Sequence, residues 1–428
     1  MKLNYKRTFL IGLAFMSISA FWQVYDNIIP LILKNTFQIG DTLTGGVMAL
    51  DNVLALFLLP IFGALSDKVD TRLGKRTPFI ITGTIIAVIF MMILPLADQM
   101  KSFPLFFISL GVVLLAMSTY RSPAVALMPD LTPKPLRSEA NAVINLMGAV
   151  GGILALAAIS FLVPKVDAST RPSYLNVYIT VAGLMVVAVL VLISTIKEKK
   201  LAKEIGQAEE AEAPSMDEPD SGTKKPGMSK EVRCSFIFIL ASIFLWFMAY
   251  NAVTTAFSRY ATTIWNYKGG SFANALMVAM GAAIIAFIPV GILSRKLGRK
   301  RMIITGILII TTTYLFGFLF KTYSPWINLV FAFTGIGWAC INVNSYPMVV
   351  EMSRGSNIGK YTGMYYTFSM AAQTLTPIFS GFLMEHVSYW TLFPYAVVFS
   401  LLSLCTMLFV KHGDSKPPAP EKKIENFA

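Results

Sequence analysis

Asp26, Asp51 and Arg121 stand inside long apolar stretches, where an ionised side chain costs at least roughly 2.5 to 3.5 kcal/mol near a bilayer centre. Residues held there at that cost mark an ion or substrate path. Asp26 lies in Phe21-Trp22-Gln23-Val24-Tyr25-Asp26-Asn27, Asp51 beside Asn52, and Arg121 after Tyr120. Counting about 1.5 Å per residue from the middle of each stretch puts the two acids at similar depth, with Arg121 slightly deeper toward the cytoplasm. One base can neutralise only one acid. Either Arg121 and an Asp form a structural pair that ties helices together, or the second carboxylate is left to bind a proton or Na+, the two acids repelling each other in a low-dielectric site.

Around these charges the spans carry aromatic rings and amides. Trp22 and Asp26 share a helix face at four-residue spacing with Tyr25 beside them; Trp246 and Asn251, Trp338 and Asn342, and Gln373 follow in later spans. Aromatic faces over pyranose C–H surfaces, with amides and carboxylates bonding hydroxyls, suit a sugar, and a similar lining suits many amphipathic drugs. Trp265, Trp326 and Trp390 lie near span ends, where Trp anchors a helix at the membrane interface.

The elements that position these residues are membrane helices. With 55% hydrophobic and 14% charged residues among 428, the chain has too few charges to cover a soluble surface. Twelve apolar runs are long enough to span roughly 30 Å of hydrocarbon: 8–34, 43–66, 77–97, 103–129, 139–163, 174–196, 233–257, 273–294, 302–320, 325–350, 358–384 and 389–411. Placing both termini in the cytoplasm puts 28 of the 36 Lys and Arg on that side and 6 on the other, with Arg121 and Arg259 within spans. The first span is too long for a signal peptide and is expected to stay uncleaved. The formal charge of +13 reports orientation here, not nucleic acid, because the basic residues cluster in short loops beside the spans.

The chain reads as two similar halves. Gly63-Ala-Leu-Ser-Asp67-Lys68, continuing to Arg72, Gly74, Lys75 and Arg76, is echoed by Gly291-Ile-Leu-Ser-Arg295-Lys296-Leu-Gly298-Arg299-Lys300-Arg301. An acid closes span 4 (Asp130) and span 10 (Glu351), each followed by a base, Arg137 or Arg354. These charges either terminate helices in solvent or form a cytoplasmic gate, in which Asp67, Asp130 and Glu351 exchange partners among Arg72, Arg76, Arg137, Arg295 and Arg354 as the halves rock. Gly148 and Gly152 would let span 5 pack closely on a neighbour. The reading is an all-α membrane protein of twelve helices in two pseudo-symmetric six-helix bundles: 1–196, a flexible cytoplasmic linker 197–233 rich in Pro, Gly and Glu, 234–411, and a disordered cytoplasmic tail 412–428.

The glycine-bearing loop between spans 2 and 3 resembles the loop signature of the major facilitator superfamily. Within that superfamily, Asp67 to Arg76 followed by Thr77-Pro78-Phe79-Ile80 is similar to the corresponding loop of the sucrose-transporter-like solute carriers and the glycoside-pentoside-hexuronide cation symporters. Pro123-Ala-Val125-Ala-Leu127-Met-Pro-Asp130, then Arg137 and Ala140-Asn141, resembles the span-4 motif of that family. The resemblance implies a cation-coupled symporter for glycosides such as disaccharides, with the span-4 acid, here Asp130, central to proton coupling. Val125 replaces the family's Arg, while Arg121 lies one turn earlier. In the melibiose-permease branch acids on spans 1, 2 and 4 serve sugar and cation, a disposition Asp26 and Asp51 resemble.

Other classes fit less well. His386 and His412 lie near span ends, and neither a phosphate-cradling loop nor a metal-ligand cluster nor a catalytic dyad appears, so no enzyme, bound metal or cofactor beyond the coupling H+ or Na+ is expected. Cys234, Cys340 and Cys405 are too scattered for a disulfide framework. The expected partners are the lipid bilayer and a small molecule, with the chain a monomer in the cell membrane. Export of a cationic or amphipathic compound, driven by protons, is the competing activity on the same fold.

Overall fold

The computed structural model describes residues 3–133, 136–165, 171–212, 230–352 and 358–414. Arg354, residues 213–229 of the linker and 415–428 of the tail lie outside the described residues, as do the side chains of Arg137 and Arg295.

The N-terminal half consists of α1 (Tyr5–Asn35), α2 (Asp41–Lys68), α3 (Thr77–Gln99), α4 (Phe103–Asp130), α5 (Arg137–Leu162) and α6 (Leu175–Thr195). A further helix, α7 (Glu198–Glu212), opens the segment expected to be a flexible linker; its run of Lys, Ala, Leu and Glu favours helix, and Leu201 and Ile205 turn toward the protein. The C-terminal half holds α8 (Lys230–Ile264), α9 (Ala273–Leu297), α10 (Arg299–Leu319), α11 (Ile327–Glu351), α12 (Ile358–His386) and α13 (Leu392–Leu408), the last preceded by a 3-10 turn at Tyr389–Thr391.

Eleven helices among the described residues are long and apolar enough to cross a membrane. The exception among the twelve expected spans is α12, which at 29 residues is as long as its neighbours but carries Tyr365, Tyr366, Gln373 and Thr376 on its way through the bundle. Its polarity follows from its position, because it packs on α2 and α8 at the junction of the halves.

The pairings repeat. In the first half α1 packs on α5 and α6, α3 on α4 and α6, and α2 on α4; in the second, α8 packs on α12 and α13, α10 on α11 and α13, and α9 on α11. Skipping α7, each helix has a counterpart six spans later. The halves meet through α1 with α8, α2 with α12, and α5 with α9, a pattern that maps onto itself under the same exchange. Small residues set the close approaches: a Cβ on Gly151 would stand 2.0 Å from the Met16 carbonyl oxygen of α1, while Gly148 faces Ser19 and Gly152 faces Met280 of α9. Span 5 does pack tightly, on both halves.

Each half ends where it began. The start of α1, the start of α7, which bonds the α2–α3 turn, and α8's start lie at one end of the bundle, called here the terminal end; α1's last turn, the start of α2 and the end of α8 lie at the far end. Trp326 is 69% exposed, as an interface anchor is, but Trp265 is 4% exposed. Its indole N–H donates to the Phe320 carbonyl at 2.7 Å, and its ring packs on Phe257 and Phe393, so it is a packing residue. Cys234, Cys340 and Cys405 are free thiols.

Candidate functional site

Asp26, Asp51 and Arg121 converge from α1, α2 and α4. All three are half-buried and within electrostatic reach of one another. The Arg121 guanidinium sits over the Trp22 ring, 5.5 Å from its centroid, a cation–π contact of roughly 0.5 to 2 kcal/mol. Asp51 accepts a hydrogen bond from the Asn52 amide at 2.8 Å. Among the described residues neither acid is in ion-pair contact with Arg121, and no cluster of three His, Cys, Asp or Glu exists. The Trp22 indole N–H is buried without an acceptor among the described residues. From Asp41 the cluster is ten residues along α2, about 15 Å, which puts it near mid-bundle.

Residues expected to line the site divide between accessible positions and the packing. On α11, Trp338, Asn342 and Tyr346 recur at four-residue spacing on a face opposite Cys340 and Ile341, which pack on Gly306 of α10; Asn342 is exposed. Trp338 stacks on Tyr250 of α8 with centroids 3.7 Å apart, so its ring is already occupied on one face. Asn251 and Gln373 are half-buried, and their amides donate to the Phe247 and Ser369 carbonyls one turn back at 2.9 and 3.3 Å. Tyr25 is different from its expected role. It is 1% exposed, its ring stacks on Phe21 and meets Trp22 edge-on, and its hydroxyl donates to the Val47 carbonyl at 3.1 Å. Trp246 too is enclosed at 2% exposure, although its indole N–H has no acceptor.

At the far end the halves are locked together. Arg259 of α8 donates to Asp41 of α2 at 2.7 Å, with 0% and 8% of the two side chains exposed. Tyr389 donates its hydroxyl to the other Asp41 oxygen, and Lys34 of α1 bonds Tyr389 and Thr263, the latter at 2.8 Å. Glu385 accepts the Thr42 N–H at 2.6 Å, and Ser160 bonds Asn274 at 2.6 Å. Each of these bonds crosses from one half to the other. Helix backbones close in beneath them: a Cβ on Gly45 would lie 2.0 Å from the Pro377 carbonyl oxygen, and one on Gly381 would lie 2.3 Å from that of Asp41. Sequence reading missed this lock, although Arg259 pointed to it, since an arginine within a span needs an acid at its own depth.

Toward the terminal end the surroundings of α2 change. Val47, Met48 and Ala49 of α2 are buried, whereas Leu56, Phe57, Ile61 and Leu65 are exposed. Charges at this end, several of those expected to form a gate among them, pair within each half here. Arg76 donates to Asp130 at 2.9 Å and also bonds Asp67 and Ser66; Arg299 pairs with Glu351; Arg72 is exposed, with no ion pair among the described residues. Asp130 thus belongs to the terminal-end cluster, about 13 Å along α4 from Arg121, and not with Asp26 and Asp51. The duplication runs deeper than the sequence echo. Just past α6, Glu198 accepts the backbone N–H groups of Lys75, Arg76 and Thr77 at 2.7 to 2.9 Å, capping α3. Just past α13, Asp414 accepts the Arg299 N–H at 2.6 Å and caps α10.

The arrangement has known relatives. Over 125 residues the chain is 29% identical to the sucrose transport protein SUC3 of Arabidopsis thaliana, an alignment that covers 25% of this chain and 21% of that relative. Among solved structures, the inward open conformation of the xylose transporter XylE from E. coli superposes with a TM-score of 0.63 at 15% identity, covering 97% of each chain. A peptide transporter POT in complex with sulfate superposes with a TM-score of 0.69 at 13% identity, covering 95% of this chain and 93% of that one. At such identities these structures speak for the fold alone. The sequence pattern of the Major Facilitator Superfamily matches residues 11–353 and 265–427, and with its helices in two exchanged halves around a charged centre, the chain belongs to that family of transporters.

Proposed function

We propose that the protein is a secondary active transporter that carries a sugar or glycoside, disaccharide-like in size, together with H+ or Na+ by alternating access. The observation that carries this reading is the pair of acids Asp26 and Asp51 sharing one base, Arg121, whose guanidinium lies over the Trp22 ring. One carboxylate can take the coupling cation while the other, with Trp22, Asn251, Asn342 and Gln373, bonds hydroxyls. Because both ligands share the acids, each raises the affinity for the other. The likeness to the sucrose transport protein SUC3 supports a sugar.

In this reading the terminal end is cytoplasmic, as the distribution of Lys and Arg supports, and the structure is the inward-open state, locked outside and parted inside. Asp67, Arg76, Asp130, Arg299 and Glu351 are then poised at the inner rim, where Arg295, Arg137 and Arg354 join them when the rim closes. The protein acts as a monomer in the cell membrane.

Uptake of labelled disaccharides into proteoliposomes, with and without an imposed proton or Na+ gradient, tests the reading. Accumulation that needs one gradient is the expected result. No accumulation of any disaccharide, or gradient-driven movement of a cationic amphiphile the other way, would overturn it. Impermeant labelling of cysteines placed near Lys75 and Arg299 from inside, and near Lys101 and Lys321 from outside, tests the orientation.

A further inference from the structure

The far-end lock is also the wall of a cavity. A space of 540 Å³ opens there, lined by Lys34, Gln38, Asp41, Glu385, Tyr389 and Trp390. Its volume lies within the range of small-molecule pockets, roughly 300 to 1,000 Å³, and it is separate from the central cluster, about 15 Å further along α2. The lining charges balance: Lys34, with Arg259 behind it, stands against Asp41 and Glu385. A free cation would meet Lys34 and a free anion two carboxylates, whereas a neutral ring bearing hydroxyl groups can donate to the acids, accept from Lys34 and lie against Tyr389 or Trp390.

The polar groups that such a ligand would use are those that hold the halves together. Lys34 bonds Tyr389 and Thr263, Asp41 bonds Arg259 and Tyr389, and Glu385 bonds the Thr42 N–H. We propose that this outer cavity is a second sugar site, a vestibule in which a neutral disaccharide binds and, by competing for Lys34, Asp41 and Tyr389, loosens the lock. A ligand moves an equilibrium only by binding one state better. Here that state is the unlocked one, in which the three side chains are free to bond the ligand. Sugar outside the cell would thereby speed the return of the empty carrier to its outward-facing form. The inference rests on the sugar reading above and adds a site to it.

The test uses the full chain in nanodiscs, with Cys234, Cys340 and Cys405 replaced by Ala and spin labels at Leu43→Cys and Val387→Cys, exposed positions on either side of the lock. The central site is disabled by Trp22→Ala with Asp26→Asn, and sucrose, maltose, trehalose and melibiose are the probes. At least one disaccharide is expected to raise the population of the longer distance about fivefold or more. Adding Trp390→Ala, or Gln38→Ala if the first fails to fold, is expected to raise the half-maximal concentration at least about fivefold. If no disaccharide changes the distance, or if both lining variants respond like their parent, the vestibule is wrong. Uptake by the unaltered protein is scored separately. Normal uptake without a distance change sinks the vestibule alone, and a distance change without uptake sinks the transport reading alone.

Discussion

Arg259 and Asp41 face each other across the two halves, and the pair is incomplete: Arg259 spends one N–H on Asp41 at 2.7 Å, while its Nε and Nη2 are buried without acceptors among the described residues. A buried donor without an acceptor costs about 1 to 3 kcal/mol. The closed far end therefore holds a cost that water relieves when the halves separate. A lock of this kind is firm in its partners yet not so stable that it cannot open.

Removing one side of that pair leaves the other buried and unpaired, a loss of about 3 to 5 kcal/mol. Asp41→Asn or Arg259→Gln should shift the protein strongly toward the far-end-open state. The reactivity of a cysteine at Thr44, buried behind the lock with 0% exposure, toward an impermeant maleimide should rise at least tenfold in either variant, and unchanged reactivity would show that the pair does not hold the halves.

Gly45 tests the same closure through the backbone. In Gly45→Val the new Cβ would lie 2.0 Å from the Pro377 carbonyl oxygen, and a helix carbonyl has little freedom to yield. Ligand should still bind from the far end, but transport should fall by at least about tenfold, with Thr44→Cys permanently reactive. Uptake at the normal rate would mean that the helices do not need this approach.

The two central acids should separate by phenotype. Asp51→Asn is expected to abolish gradient-driven accumulation while keeping exchange or facilitated flux, and Asp26→Asn, beside Trp22, to weaken sugar binding itself. Radiolabelled accumulation and counterflow in proteoliposomes distinguish them; normal accumulation against a gradient in both variants would remove the coupling site from this cluster.

Glu198 is 3% exposed and fixes the start of α7 to the head of α3. In Glu198→Ala three backbone N–H groups lose their acceptor, and thermal unfolding in detergent should move down by an amount equivalent to about 1 to 3 kcal/mol. Gly74 shares the site: its φ is +119°, and a Cβ there would lie 2.3 Å from the Glu198 carboxyl carbon, so Gly74→Ala should expel Glu198 and reproduce the loss. Asp414→Asn, with one N–H at stake, should cost less. Equal stability of Glu198→Ala and the parent would leave α7 without this anchor.

The sequence by itself determined the elements and the centre. Apolar length specifies a membrane helix because every backbone polar group must be satisfied within it, and the repeated Gly, Arg and acid pattern specified two halves. The cost of burying charge singled out Asp26, Asp51 and Arg121 before any contact was known, and the structure brings the three together. Which face a residue presents was less legible. Tyr25 and Trp246 have the chemistry of a binding site but are enclosed at 1% and 2% exposure, because only the surrounding helices fix which side of a helix is covered. What tertiary structure alone decided is which charges meet. Asp41 and Arg259 are 218 residues apart and Glu198 and Thr77 are 121 apart, so no local pattern joins them. The packing of α2 on α12 and of α1 on α8 brings the first pair together and locks the far end. At the other end Arg76 finds Asp130 and Arg299 finds Glu351, each within its own bundle.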